Sequence, residues 1–172
     1  TFYMVLTDMK SSLGWSSNRG IVLLKSTDLI NWEHHTVHFP TKYYKKWGNV
    51  IRVWAPETIY DKEAGKYMVF CSLRTSDDSS FDRIYYSYVN DDFTDLEGEP
   101  VYMFDNGKAT IDGDIVFNEK DGLYHLFYKS EAGRGIFQAT AKTLTAEKGK
   151  PLGSQWTKID GNVEQTQEAV EG

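Results

Sequence analysis

Two stretches of the chain repeat one another without a gap at a spacing of 57 residues. Glu57-Thr-Ile-Tyr-Asp-Lys-Glu-Ala-Gly-Lys-Tyr-Met-Val-Phe70 lies over Asp114-Ile-Val-Phe-Asn-Glu-Lys-Asp-Gly-Leu-Tyr-His-Leu-Phe127. Gly65 meets Gly122, Tyr67 meets Tyr124 and Phe70 meets Phe127. Further on, Arg83-Ile-Tyr-Tyr-Ser matches Gly135-Ile-Phe-Gln-Ala, after a loop five residues shorter. The start of the chain supplies the same second half: Phe2–Thr7 resembles the run from Lys66, and Gly20–Lys25 the run from Gly135. Such a period constrains the fold more than any single motif, because each unit must bury its faces against its neighbours.

The units are β-rich. Apolar residues come in short runs rich in Tyr, Phe, Val and Ile, with turn residues between them. Strands are predicted at Phe2–Thr7, Ile21–Ser26, Thr58–Tyr60, Lys66–Ser72, Ile84–Val89, Ile115–Phe117, Leu123–Lys129 and Ile136–Ala141. One helical stretch is predicted, around Lys142–Lys148. Ala64-Gly65 and Asp121-Gly122 read as two-residue hairpin turns, Gly supplying a positive φ. Four strands per repeat of 40–60 residues is the pattern of a β-propeller blade. The expected fold is therefore all-β: four-stranded antiparallel blades around a channel. Residues 1–50 end a first blade, 51–108 form a second, 109–168 a third, and 169–172 start a fourth. Closed propellers use about 4–8 blades, so an incomplete portion of a propeller is expected. The opening in mid-strand at Thr1-Phe-Tyr fits a processed or cut boundary.

Composition narrows the partners. The net charge is −6 with no basic cluster, which excludes ordinary nucleic-acid and anionic-membrane binding. No apolar run approaches the length of a membrane span. The single Cys71 excludes an internal disulfide and has no nearby His or Asn that would make it a nucleophile. Eleven Tyr, nine Phe and five Trp are plentiful; they suit pleated surfaces, and their flat faces also suit sugars. His34, His35 and His38 are expected on an outer strand or loop rather than at a metal, and His125 as a satisfied core residue within a strand. Gly133-Arg-Gly135 lacks the strand-to-helix context of a phosphate loop.

Chemistry is expected at the channel rim. The segments that open inner strands are Val53-Trp-Ala-Pro-Glu57, Thr110-Ile-Asp-Gly-Asp114 and Ala169-Val-Glu-Gly172, and each carries acid. Loops Ser11–Arg19, Arg74–Asp82 and Glu131–Arg134 should face the same rim. Asp112 and Asp114 share a face by the two-residue strand period. Glu171 follows Asp112 by 59 residues and Asp114 by 57. Acids converging from neighbouring blades can take different pKa values, one donating a proton while another stays charged. Inverting glycoside hydrolysis needs such a pair. The plain alternative is turn chemistry, since Asp and Glu beside Gly are ordinary turn residues.

Trp54-Ala-Pro-Glu-Thr-Ile-Tyr, Ile111-Asp-Gly-Asp-Ile-Val-Phe, Ser26-Thr-Asp-Leu-Ile-Asn-Trp and the terminal Val-Glu-Gly together resemble glycoside hydrolase family 43. The resemblance covers the whole chain and about three of that family's five blades. It implies three acids at the channel mouth. Glu171 matches the general acid. Asp112 matches the carboxylate that orients the acid and tunes its pKa. Gly113 stands where the family has Pro, and a second acid follows, so Asp114 remains a rival for that role. The general base is expected about ten residues ahead of Tyr3, and a fragment without it would be inactive. Trp54 matches a pocket-wall Trp, with a buried ring at a blade junction as the alternative. Trp15 is either a sugar platform or a packing anchor for its loop. Arg74, Glu131 and Arg134 are candidate sugar contacts or solvated charges. Glu57 aligns with the acids, but the family gives it no catalytic part, so it is expected to support them. The resemblance implies arabinose- or xylose-containing plant glycans as substrates, secretion or a periplasmic location, and no required cofactor. It leaves calcium open for the full-length protein and oligomeric state undetermined. A non-catalytic carbohydrate-binding propeller is the other functional class.

Overall fold

The computed structural model describes residues 1–77, 80–132, 135–161 and 163. They form three antiparallel sheets in chain order. The first holds β1 (Phe2–Thr7), β2 (Gly20–Ser26) and β3 (Glu33–His38). Two short helices follow, α1 (Phe39–Lys42) and α2 (Tyr44–Trp47). The second sheet is β4 (Val50–Asp61), β5 (Lys66–Thr75), β6 (Arg83–Tyr88) and β7 (Val101–Phe104). The third is β8 (Thr110–Asn118), β9 (Leu123–Ser130), β10 (Ile136–Ala141) and β11 (Thr157–Lys158). Within each sheet the strands lie side by side in sequence order. That is the meander of a propeller blade.

Packing between the sheets follows the two-residue period. In β5 every residue from Met68 to Leu73 is buried, because both faces of the strand are covered. Val69, Cys71 and Leu73 point into a core shared with Ile21, Leu23 and Val37 of the first sheet. Met68 and Phe70 point the other way, into a core shared with Ile115, Leu126 and Tyr128 of the third. A side chain of this size contributes about 1.5–3 kcal/mol when fully buried. Burial also drives the Cys71 thiol pKa up to about 12, so this cysteine is an inert core residue.

Several expectations need correction. Lys142–Lys148 forms bends and turn, not helix; the Thr143 hydroxyl donates to the Thr145 carbonyl at 2.8 Å, and Leu144 is buried. The helices lie instead at α1 and α2, where Phe39, Tyr43 and Trp47 turn one apolar face to the first core at a spacing of four. Strands β3, β7 and β11 are additional to those predicted. The hairpins at Gly65 and Gly122 are four-residue loops rather than two-residue turns. Each closes with a backbone bond from the glycine to the fourth residue before it, Asp61 or Asn118, at 2.8 and 2.9 Å. The side chains of those two residues cap the turn by accepting backbone N–H bonds. Both glycines do adopt the left-handed φ, 67° and 72°.

His34, His35 and His38 lie on an outer strand, as expected, whereas His125 is partly buried rather than a core residue. β3 is the edge strand; His35 meets Glu33 at 2.8 Å and His38 meets Thr41 at 2.7 Å. His125 is bonded on both ring nitrogens, by Asp121 at 2.9 Å and Gln138 at 2.5 Å.

Candidate active site

The rim segments expected ahead of the inner strands are part of those strands. β4 runs through Trp54-Ala-Pro-Glu57, and β8 through Ile111-Asp-Gly-Asp114. Each contains a bulge at the same point of the repeat. Trp54 pairs with Ser72 and Glu57 with Phe70, so Ala55 and Pro56 together oppose Cys71. Ile111 pairs with Lys129 and Asp114 with Phe127, so Asp112 and Gly113 together oppose Tyr128. The first residue of each bulge is left-handed: φ is 45° at Ala55 and 52° at Asp112.

The bulge changes which residues share a face. Without it, residues three apart on a strand point to opposite sides. The extra residue restores them to one side. Trp54 therefore faces the same way as Glu57, and Ile111 the same way as Asp114. Asp112, on the bulge itself, and Asp114, just beyond it, both line one cleft.

That space is a cleft of about 540 Å³ at the meeting of β1, β4 and β8. Its lining includes Thr7, Met9, Trp15, Trp54, Glu57, Asp112 and Asp114, with Phe127 and Ile136 from the third sheet. Five of the residues singled out from sequence thus come together: Trp15, Trp54, Glu57, Asp112 and Asp114. Two do not reach the lining. Arg74 lies opposite Arg52 in the register of β4 and β5. Its Nε is shut from solvent and has no hydrogen-bond partner among the described residues. Glu131 is exposed and lies 3.4 Å from Lys129. Arg134 and Glu171 lie outside the described residues, as does the start of a fourth blade.

Glu57 is open to the cleft, yet its pKa is raised above the usual carboxylate range. Partial removal from water along the wall is the larger cause, and the charge of Asp114 on the adjacent inner strand is the second.

Three residues that the sequence did not single out hold Trp54 in place. Asn18 is fully buried. Its Nδ2 donates to the Val53 carbonyl at 2.6 Å, and its Oδ1 accepts the Trp54 indole N–H at 2.7 Å. The Val53 N–H returns a bond to the Asn18 carbonyl at 2.8 Å. The loop after β1 is thereby fastened to β4. The Arg52 guanidinium lies 4.1 Å from the centre of the Trp54 ring, a cation–π distance. Two bonds of 2.9 and 2.8 Å tie it to Asp82, which is 1% exposed. The Asp82 carbonyl in turn accepts the N–H of Thr110, the first residue of β8. Arg52 and Trp54 are two apart on one strand, and that spacing was the available signal for the stack. Nothing local marks Asn18 or Asp82, whose partners lie 36 and 30 residues away.

Among the described residues no group of three or more His, Cys, Asp or Glu could hold a metal ion. No helix there is long and apolar enough to cross a membrane.

Comparison with known proteins agrees with this architecture. The model of a family-43-related family described as "Probable glycosyl hydrolase domain" matches residues 1–172. An α-L-arabinofuranosidase of Bifidobacterium longum subsp. longum is 29% identical over 181 residues, which cover 88% of this chain and 16% of that enzyme. A crystal structure of a thermostable family-43 glycoside hydrolase superposes with a TM-score of 0.56 at 22% identity, over 77% of this chain and 44% of that one. The α-L-arabinofuranosidase of Lactobacillus brevis superposes with a TM-score of 0.60 at 14% identity, over 96% of this chain and 52% of that one. The chain thus spans about half the length of the structures it matches and a smaller part of the bifidobacterial enzyme.

Proposed function

The chain belongs to the family-43-related glycosyl hydrolases, and on that premise we propose that its full-length protein hydrolyses arabinose-containing plant polysaccharides with inversion at the anomeric carbon. The observation that carries this reading is the cleft, where Asp112, Asp114 and Glu57 from two adjacent inner strands stand beside Trp54 and Trp15. Carboxyl groups supply the proton chemistry, and the half-buried Trp54 indole gives the sugar being cleaved a flat apolar wall. Xylose-containing glycans are a second substrate class within the proposal.

Glu171 protonates the leaving oxygen as the glycosidic bond breaks. Asp112 holds that acid in place and favours its protonated form. Its position on the bulge, half-buried, suits a group that must not move. Asp114, more open to the cleft, faces the sugar. A third carboxylate, which the family resemblance puts ahead of Tyr3, takes a proton from the attacking water. The reaction needs no redox cofactor. A polymer is too large to enter the cell, so the enzyme works outside the cytoplasm, secreted or in the periplasm.

The test is hydrolysis of arabinofuranosides and xylosides by the full-length protein, with the anomer released first read by proton NMR. Glu171→Gln lowers turnover of substrates with poor leaving groups by roughly 10²–10⁴-fold. Substrates with acidic phenol leaving groups need less protonation and lose less. Equal losses on both would remove Glu171 from the acid role. Binding of oligosaccharides with no turnover by the wild type would establish the non-catalytic class instead.

A further inference from the structure

Trp15 and Trp54 line the same cleft but are held in opposite ways. Trp54 is fixed: Asn18 holds its N–H, and Arg52 lies against its ring. Trp15 is 73% exposed. Its ring meets Trp54 at nearly a right angle, 76°, with centroids 6.3 Å apart. A tryptophan left in water forgoes most of the burial of a side chain of 150–250 Å². The exposure is not that of a loose loop. Three residues on, Asn18 is fully buried and bonded to β4, and the Ser17 hydroxyl closes the loop onto the Lys10 carbonyl at 3.0 Å. Met9, 41% exposed, and Leu13, 69% exposed, extend the apolar surface along the same loop. Among the described residues Trp15 is not packed as an anchor would be. Asn18 pins the loop.

We propose that Trp15 is the platform for the sugar unit on the leaving-group side of the scissile bond, and so selects oligosaccharide over simple glycoside substrates. The placement follows from the elements. The sugar being cleaved must reach the carboxylates of β4 and β8. The loop after β1 stands at the mouth of that cleft, where the next unit of a chain has to pass. The occupant is a saccharide because the indole surface is continuous with a wall of carboxyl groups, which accept hydroxyl hydrogen bonds. The inference rests on the glycosidase reading above, with Trp54 as wall and Trp15 as selector.

The experiment uses the full-length protein as wild type, Trp15→Ala and Trp15→Phe. Substrates are methyl arabinofuranoside, which offers nothing to stack, and two oligosaccharides, arabinotriose and an arabinosylated xylotriose. Trp15→Ala loses roughly 10- to 100-fold in kcat/KM on at least one oligosaccharide, carried by KM. It stays within about 3-fold on the methyl glycoside, and Trp15→Phe recovers most of the loss, because a flat ring is what the contact requires. Calorimetric binding of the same oligosaccharides separates the platform from the glycosidase reading. If the wild type binds in a Trp15-dependent manner but hydrolyses nothing, the platform stands and the glycosidase reading falls. Turnover with no change in Trp15→Ala, or an equal loss on methyl glycoside and oligosaccharide, overturns the platform alone. If the wild type neither binds nor cleaves any of them, both fall.

Discussion

Glu57 shows what one residue's surroundings do to its chemistry. Its pKa is raised, first by the desolvating wall and then by Asp114. A group whose folded pKa exceeds its unfolded value supports the fold below the unfolded pKa and loses that contribution as pH rises through the folded one. For Glu57 that window begins in the usual glutamate range, near 4.5, and extends above it. The other titratable groups of the described cleft lining are Asp112 and Asp114, both acids, so no cation there opposes the effect. Glu57→Gln should therefore raise the melting temperature at pH 7–8 and leave it unchanged near pH 4. Thermal melts across that range check it, and a gain confined to low pH would reverse the assignment. At this scale the repeat paired Glu57 with Asp114, and both line the cleft. It was silent on Asn18 and Asp82, whose roles are bonds to residues far along the chain.

Among the elements, β4 and β8 repay comparison. Both carry a bulge whose first residue is left-handed, though one is Ala-Pro and the other Asp-Gly. The bulge is a property of the repeat rather than of one acid. An L-residue in this conformation costs about 1–2 kcal/mol, and glycine gives back part of any gain through its chain entropy. Ala55→Gly is accordingly expected to stabilise by about 0.5–1 kcal/mol, and Ala55→Val to destabilise by more than about 1 kcal/mol. Urea unfolding measures both; a destabilising glycine would show that Ala55 is not strained. Period-two patterning placed the inner strands only at Thr58–Tyr60 and Ile115–Phe117 because the bulge breaks the alternation. The pattern resumes on the far side, where the strand still runs. The converse holds at Lys142–Lys148, where helix-favouring Lys, Leu, Ala and Glu suggested a helix and the segment instead bends to bury Leu144 alone of its apolar side chains.

On the scale of the whole molecule, the second core couples two repeats. Leu126 of β9 is fully buried against Met68, Ile84 and Ile115, from three strands in two sheets. Even the Gly113 bulge depends on this core: a Cβ there would lie 2.7 Å from the Ile84 Cδ1 and 3.4 Å from the Leu126 Cδ1. Leu126→Ala should cost about 2–5 kcal/mol. Because the cores are continuous through β5, fluorescence and circular dichroism should follow one shared unfolding transition. Two separated transitions would mean that the sheets fold as independent units.

The amino-acid order alone determined the repeat, the strand-forming runs, the glycines that close the turns and the acids that recur at one point of each unit. These are local matters, set by side-chain period and backbone freedom. Only the tertiary structure decided where the acids go. Their common cleft exists because buried faces force neighbouring inner strands together, and the bulge in each strand puts Trp54 on the side of Glu57 and Ile111 on the side of Asp114. The fixing of Trp54 by Asn18 and its meeting with Trp15 are likewise contacts between residues 36 or more apart, which no local pattern of residues encodes.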